Sequence, residues 1–197
     1  MKIEPIILEG RYVRMEPLEL SHVPGLTEVG TDAELWRWTK HLIQSEEEMR
    51  EYVSEAIGWQ VAGTALPFAT IEIASGRPVG CTRMFDIDPV NRSLEIGYTW
   101  VAKPWQRTVV NTEAKYLMLQ HAFEAMGCIR VQLKTDSLNE KSRKAMLRIG
   151  AKEEGTFRNH MIMRENRYRH STFFSITESE WPNIKHILAS KVANVTS

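Results

Sequence analysis

The sequence predicts one mixed α/β domain, in which helices cover both faces of a mostly antiparallel sheet. Between residues 66 and 101 three strand-like runs follow one another, and from residue 112 onward helical and strand-like runs alternate. Consecutive strands favour an antiparallel meander, whereas a strand–helix–strand order favours a parallel pair. The 197 residues suffice for one packed core. Since no repeat or low-complexity linker interrupts the chain, residues 1–197 are predicted to form a single domain.

The first half of the chain predicts a strand, two helices and three further strands. Glu9–Met15 is rich in strand formers, and Ser21–Gly30 predicts a short helix with Ser21 as its N-cap. Ser45 is followed three residues later by Glu48, which is a capping-box pattern, and apolar residues at helical spacing extend this second helix to Ala62. Three strand-like runs come next: Leu66–Ala74, Arg77–Ile87 and Ser93–Val101.

The second half predicts alternating elements and a terminal hairpin. They are, in order, helix Thr112–Met126, strand Ile129–Thr135, helix Asn139–Ile149 and the paired strands Glu153–Met163 and Tyr168–Thr177. Gly150 ends the second of these helices because glycine readily adopts the left-handed conformation of a helix C-terminus.

Composition excludes several classes of protein. The chain has 25 basic and 25 acidic residues, which argues against a broad nucleic-acid surface. It has no run of about 20 apolar residues, so no membrane span is expected. The N-terminus lacks a secretory pattern, and the two cysteines, Cys81 and Cys128, lack metal-ligand spacing, so a reducing, cytoplasmic location is expected.

The most informative segment leads from a strand into a helix. Leu94–Val101 is strand-like, Gln106–Asn111 is a short polar loop, and an apolar helix follows, for which Asn111 or Thr112 could be the N-cap. The first amide groups of a helix lack partners within the helix, and the helix dipole favours negative charge there. Glu95 lies upstream on the strand. The segment therefore predicts a phosphate-bearing ligand beside a carboxylate base.

Several motifs in this order resemble the GNAT superfamily of acetyl-CoA-dependent N-acetyltransferases, in particular the branch that includes the ribosomal-protein N-terminal acetyltransferases. The residues that carry the resemblance are Glu95-Ile96-Gly97-Tyr98, Gln106–Thr112, Asn139-Glu140-Lys141-Ser142, Leu8–Arg14, Arg148–Gly155 and Glu180-Trp181. The likeness covers nearly the whole chain. It implies a twisted sheet of about seven strands that splays between the fourth and fifth, with acetyl-CoA as cosubstrate and no metal.

The resemblance also implies the groups that bind the cosubstrate. The phosphate loop would consist of Gln106, Arg107, Thr108, Val109, Val110, Asn111 and Thr112, followed at a distance by Asn139. The family has glycine where this chain has Val109 and Asn111, and some relatives have glycine in place of Arg107. Because β-branched Val109 lacks the conformational freedom of glycine, we expect a restricted loop whose amide groups still bind phosphate. Arg107 could add a charged contact.

Glu95 and Ser142 are the candidate catalytic residues. Strand alternation places Glu95, Gly97, Thr99 and Val101 on one face. A buried Glu95 with a raised pKa could accept the proton of the amine, or it could be structural and paired with an arginine such as Arg83. In similar enzymes a side chain at the position of Ser142 faces the sulfur; the alternative is a role in capping or solvation. Main-chain groups of Trp100 and Val101 would bind the pantetheine arm or simply pair in the sheet.

The acceptor is less well specified. Trp36, Trp38 and Tyr168 are the candidate substrate residues, although core packing of the tryptophans is an alternative. The terminal hairpin contains Arg158, Arg164, Arg167 and Arg169, which could attract an acidic substrate or simply solvate the hairpin. The expected partner is an amine, either a small molecule or a protein N-terminus, and the chain could be a monomer or a homodimer. The alternatives are a non-catalytic CoA-binding module and a phosphate-ligand enzyme without acyl chemistry.

Overall fold

A computed structural model describes residues 1–194 of the chain, which form one eight-stranded sheet with helices on both faces. The strands are β1 (Leu8–Glu9), β2 (Val13–Pro17), β3 (Leu66–Glu72), β4 (Arg77–Asp88), β5 (Ser93–Val101), β6 (Arg130–Asp136), β7 (Lys152–Ile162) and β8 (Tyr168–Thr177). Their spatial order is β1-β2-β3-β4-β5-β6-β8-β7. Neighbouring strands are antiparallel except β5 and β6, which are parallel. The predicted fold is confirmed, and the strand beyond the expected seven is the two-residue β1.

Six α-helices accompany the sheet within the described residues. They are α1 (Val23–Gly30), α2 (Ala33–Trp36), α3 (Glu46–Val61), α4 (Val109–Gln120), α5 (Glu140–Arg148) and α6 (Trp181–Ala193). The chain of α4 continues as a π-helical turn over His121–Ala125. None of these helices is long and apolar enough to traverse a bilayer.

The cap predicted for α3 forms its hydrogen bond, and α5 has a side-chain cap of the same kind. The Ser45 hydroxyl accepts from the Glu48 amide at 3.2 Å, and the Asn139 side chain accepts from the Ser142 amide at 3.1 Å. Two predicted helix starts are wrong. A 3-10 turn over Leu20–His22 precedes α1, so Ser21 is not its N-cap, and α4 begins at Val109 with Thr108 as its N-cap.

Two hydrophobic cores lie on opposite faces of the sheet. The α4-side core joins α4, α6 and the sheet through residues such as Met118, Ile96 and Ile184. The α3-side core joins α1 and α3 to the other face through residues such as Met49 and Cys81. Helix α6, which the periodicity did not predict, closes the first core: Trp181 stacks on Phe123 at 5.4 Å between ring centroids.

Candidate active site

Strands β5 and β6 separate part of the way along their length. They pair at three positions, from Ser93 opposite Arg130 to Glu95 opposite Gln132. Beyond Glu95 no further pairs form between them, although β5 continues to Val101 and β6 to Asp136. The divergence leaves a wedge-shaped gap whose two edges carry main-chain groups that the sheet does not use. Backbone groups of this kind are strong donors and acceptors that need partners.

Glu95 lies at the point where the strands separate. Its side chain is 2% exposed, and its Oε2 accepts hydrogen bonds from Lys134 Nζ at 2.9 Å and Gln132 Nε2 at 3.0 Å. Among residues 1–194 no hydrogen bond reaches Oε1. Burial raises the pKa of Glu95, and the Lys134 ammonium group opposes that rise. A carboxylate with a raised pKa and one uncommitted oxygen is suited to accepting a proton.

The pairing of Glu95 differs from the structural alternative that involves Arg83. The Arg83 side chain is fully buried and donates to the Tyr52 carbonyl at 3.3 Å. Its guanidinium carbon lies 4.4 Å from the Tyr98 ring centroid, 4.6 Å from that of Tyr52 and 4.8 Å from that of Trp59. Arg83 is therefore held by cation–π contacts in an aromatic cage rather than by the carboxylate of Glu95.

A β-bulge in β5 overturns the predicted strand alternation. Gly97 pairs with Arg83 and Trp100 with Cys81, so Tyr98 and Thr99 both lie opposite Thr82. Tyr98 has φ of 50°, in the left-handed region. Thr99 consequently lies on the α4 face of the sheet, opposite to Glu95, whereas alternation predicted that the two share a face. Bulges of this kind redirect side chains next to functional sites.

The loop before α4 contains a residue in the left-handed region and ends in a side-chain cap. Arg107 has φ of 63°, in the left-handed region that favours glycine. Val109 is the first residue of α4 and has a helical backbone. Its β-branched side chain therefore does not restrict the loop, contrary to the expectation from the sequence. The Thr108 hydroxyl accepts from the Val110 amide at 3.3 Å, and neither Asn111 nor Thr112 is the N-cap.

Side-chain burial limits what the predicted phosphate loop can offer. Val110 is 3% exposed and Thr112 is 9% exposed, and the Trp100 side chain is also buried, so these three residues present only main-chain groups. Gln106 donates from Nε2 to the Val101 carbonyl at 2.8 Å, which occupies that acceptor. The side chains of Gln106, Arg107 and Thr108 are exposed, and those of Val109 and Asn111 are half-buried.

The first turn of α5 follows the diverging end of β6. Asn139 caps this helix, so its side-chain oxygen is already engaged by the Ser142 amide. The half-buried Ser142 hydroxyl makes no hydrogen bond with another residue of the described chain. The α5 N-terminus and the α4 N-terminus therefore both lie at the carboxyl end of the two strands that diverge.

The three predicted substrate residues differ in how deeply they are buried. Trp36 is 1% exposed and its indole donates to the Gly30 carbonyl at 2.7 Å, so it belongs to the core and cannot line a surface groove. Trp38 is half-buried and Tyr168 is 62% exposed. Two of the four hairpin arginines are not merely solvated: Arg164 and Arg169 donate to the carbonyls of Trp36 and Trp38, at 3.2 Å and 3.4 Å respectively.

A groove lies on the face of the sheet that carries Glu95. Its volume is about 510 Å³. Its lining includes Asp86, Gln132, Lys134, Phe157, His160 and Phe173. Two of these residues, Gln132 and Lys134, hold the Glu95 carboxylate, so the groove lies next to this residue.

Two buried ionisable residues of α4 were not identified from the sequence. Glu113 is 2% exposed and accepts from the amides of Arg11, Tyr12 and Val13 at 2.7–2.8 Å. Lys115 is 5% exposed and donates to the hydroxyls of Thr82 and Thr99. The signal was present in the helical spacing: residues 113 and 115 flank the buried Ala114 near the start of α4, where charged residues are normally exposed.

The chain is similar in sequence to known acetyltransferases. A family model described as an acetyltransferase (GNAT) domain matches residues 13–152. A curated protein of Bacillus subtilis (strain 168), "Putative ribosomal N-acetyltransferase YdaF", is 34% identical over 111 residues, which is 56% of this chain. The aligned part spans 59% of the length of that relative.

Solved structures resemble the chain over most of its length. A GCN5-related N-acetyltransferase from Brucella melitensis has 32% identity and a TM-score of 0.91, covering 97% of this chain and 87% of its own. The fold is also that of Mycobacterium smegmatis RimJ in complex with CoA-disulfide, with 21% identity, a TM-score of 0.80 and coverage of 95% and 92%. Because the family model matches well over half of the chain, the protein belongs to the GNAT acetyltransferase family.

Proposed function

We propose that this protein transfers an acetyl group from acetyl-CoA directly to a primary amine. The observation that carries the proposal is the position of Glu95, a buried carboxylate with one uncommitted oxygen at the point where β5 and β6 separate. A groove on the same face of the sheet is lined by the two side chains that hold Glu95, and two helix N-termini lie near the other end of the gap. Family membership supports the same reaction.

The residues around the gap fit a diphosphate-containing cosubstrate. Helix geometry leaves the first amide groups of α4 without partners in the helix, and Thr108 takes only that of Val110. The exposed Arg107 side chain can add a charge-assisted contact to phosphate. Main-chain groups on the open edge of β5 beyond Glu95, other than the Val101 carbonyl that Gln106 occupies, can pair with amide groups of the pantetheine arm. When bound, acetyl-CoA supplies the thioester carbon and the thiolate leaving group.

In this proposal the protein moves one proton and stabilises two charges. Glu95 accepts a proton from the attacking amine, directly or through a water molecule, as the new C–N bond forms and the C–S bond breaks. An unpaired amide group of β5 donates to the thioester oxygen. The Ser142 hydroxyl, which has no other partner in the described chain, donates a hydrogen bond to the departing sulfur.

The acceptor proposed first is the α-amino group of a protein N-terminus. The printed name of the Bacillus subtilis relative contains the words "ribosomal N-acetyltransferase". The groove beside Glu95 is open along one face of the sheet, and Phe157, Phe173 and His160 lie on it beside charged side chains. Such a mixed surface can accommodate the first residues of a peptide.

Thiol release from acetyl-CoA tests the proposed reaction. The acceptors to compare are peptides with the N-terminal residues of ribosomal proteins, the same peptides with blocked N-termini, and free polyamines. We expect release with free N-termini and none with the blocked peptides. Turnover of polyamines alone would keep the reaction and reject the protein acceptor. Binding of CoA without turnover of any amine would instead identify a non-catalytic CoA-binding module, and failure to bind CoA would reject both.

A further inference from the structure

Lys115 of α4 is a buried amine without a carboxylate partner. Its side chain is 5% exposed, and its Nζ donates to Thr99 Oγ1 at 2.8 Å and to Thr82 Oγ1 at 3.1 Å. No acidic side chain of the described residues lies within 4 Å of this amine. Burial lowers the pKa of Lys115 to about 7. Burying a lysine amine opposes folding, so its place beneath the sheet calls for a role other than stabilisation.

The two threonines that receive these hydrogen bonds lie at the bulge of β5, one on each strand. Thr82 on β4 lies opposite both Tyr98 and Thr99, and the two hydroxyl oxygens are 2.7 Å apart. Lys115 therefore connects helix α4 to the bulged part of β5. This part of the strand lies beyond the last pair with β6, where the edge of β5 faces the gap.

When the hydrogen bonds among Lys115, Thr82 and Thr99 are counted, the hydroxyl proton of Thr99 has no strong acceptor within the cluster. An amine has at least two N–H groups in either protonation state, so Lys115 can donate to both hydroxyl oxygens. The Thr82 proton then has a nearby acceptor in the Gly97 carbonyl at 3.3 Å or in Thr99. The Thr99 hydroxyl is 3.5 Å from the Gly97 carbonyl, a weak contact. Because Thr99 is exposed, its proton can point out of the protein.

The Thr99 hydroxyl lies on the part of β5 that is proposed to contact the cosubstrate. Thr99 lies on the α4 face of β5, four residues after Glu95 and two before Val101. Lys115 lies in the second turn of α4, whose N-terminus carries the proposed phosphate loop. Along β5, Thr99 therefore lies between the proposed base and the end of the strand that leads to the proposed phosphate loop.

We propose that Thr99 is a CoA-binding residue, whose hydroxyl donates a hydrogen bond to an amide carbonyl of the pantetheine arm, and that Lys115 is the positioning residue that orients this hydroxyl. The inference rests on the proposed function, since it requires that the gap binds CoA. It concerns two side chains, whereas the contacts proposed above for this arm use the main chain.

Calorimetric titration of CoA into matched variants tests the proposal. Thr99→Val removes the hydroxyl and keeps the shape, Thr99→Ser keeps the hydroxyl, and Lys115→Met removes the amine. We expect about tenfold weaker CoA binding for Thr99→Val and for Lys115→Met, which is the effect of one lost hydrogen bond, and near-normal binding for Thr99→Ser. Because the two residues act through one contact, the double variant should bind within about twofold of Thr99→Val.

A second threonine pair provides the control. Thr156 and Thr172 join β7 to β8 through hydroxyls 2.9 Å apart, so Thr156→Val removes a comparable hydroxyl away from the gap and should leave CoA affinity unchanged. If the wild type does not bind CoA, the proposed function fails. If the wild type binds and Thr99→Val binds equally well, the proposed function stands and this inference is overturned. Should Lys115→Met not fold, the Thr99→Val and Thr99→Ser pair still decides the role of the hydroxyl.

Discussion

Two glutamates of this protein are buried to the same degree but have different hydrogen-bond partners. Glu95 and Glu113 are each 2% exposed. Glu113 uses both carboxylate oxygens to accept from three consecutive main-chain amides, those of Arg11, Tyr12 and Val13. Glu95 uses one oxygen to accept from two side chains, Lys134 and Gln132, and leaves the other uncommitted.

The hydrogen-bond partners of a buried glutamate, and not its burial alone, indicate whether its role is structural or chemical. Three amide hydrogen bonds compensate the Glu113 carboxylate for the loss of water, and they fix the turn between β1 and β2 against α4, so its role is structural. The partners of Glu95 leave one carboxylate oxygen uncommitted, and the effect of burial exceeds that of Lys134, so the pKa of Glu95 is raised. A carboxylate in the second situation, not the first, can take part in proton transfer.

The largest expected effect is that of Glu95→Gln on catalysis. The amide keeps the size of the side chain but cannot accept a proton from the amine, so kcat/KM for the acceptor should fall about 10²- to 10³-fold. Steady-state thiol release measures this change, and calorimetry should show CoA affinity within about twofold of the wild type. An unchanged kcat/KM would remove Glu95 from the reaction.

Glu113→Gln should have the opposite signature. One carboxylate oxygen becomes an NH₂ group facing main-chain N–H groups, so the free energy of unfolding should fall by roughly 2–4 kcal/mol. Chemical denaturation measures the loss, and kcat/KM should stay near that of the wild type at temperatures where the variant is folded. A catalytic defect without loss of stability would erase the distinction between the two glutamates.

A matched pair of glycine substitutions sharpens the comparison at each carboxylate. A Cβ at Gly10 would lie 2.5 Å from the Glu113 carboxyl carbon, whereas a Cβ at Gly97 would lie 2.9 Å from the Phe85 ring and 3.4 Å from Glu95 Oε1. Overpacking of this kind costs roughly 1–3 kcal/mol. We expect Gly10→Ala to reduce the unfolding free energy mainly, and Gly97→Ala to reduce kcat/KM as well, about tenfold. Equal catalytic losses in both would contradict this assignment.

The smallest effect concerns the tuning of Glu95. Removal of the ammonium group in Lys134→Met takes away the interaction that opposes the effect of burial, so the pKa of Glu95 should rise further. The base must be deprotonated to act, hence the acid limb of the kcat/KM profile should move to higher pH, with a smaller change above that limb. An acid limb that moves to lower pH would show that Lys134 does not stabilise the charged carboxylate.

Sequence patterns predicted the fold because each long element has a clear period. The three strands between residues 66 and 101, the parallel pair and the terminal hairpin followed from alternation and from the order of elements. Helix α6 did not, since it contributes only three buried residues over its length, namely Trp181, Ile184 and Leu188. The start of α4 was misplaced because Thr108, Asn111 and Thr112 can all cap a helix, and only the loop geometry selects Thr108.

The details of the candidate site were harder to predict from the sequence. The position of Glu95 followed from its strand, but its partners come from β6 and are brought to it by the parallel pairing. The bulge at Tyr98 depends on cross-strand register and on the contacts among Thr82, Thr99 and Lys115, none of which is local in sequence. For Trp36 the sequence left both a substrate groove and core packing open, because an aromatic residue looks the same in a core and on a binding surface, and the structure places it in the core.

The pH dependence of kcat/KM, measured with one acceptor amine for the wild type and for Glu95→Gln, tests the central claim most directly. If Glu95 is the proton acceptor, the wild-type value falls as pH decreases through the raised pKa of this carboxyl, and the variant lacks that acid limb. The same acid limb at the same pH in both proteins would contradict the account.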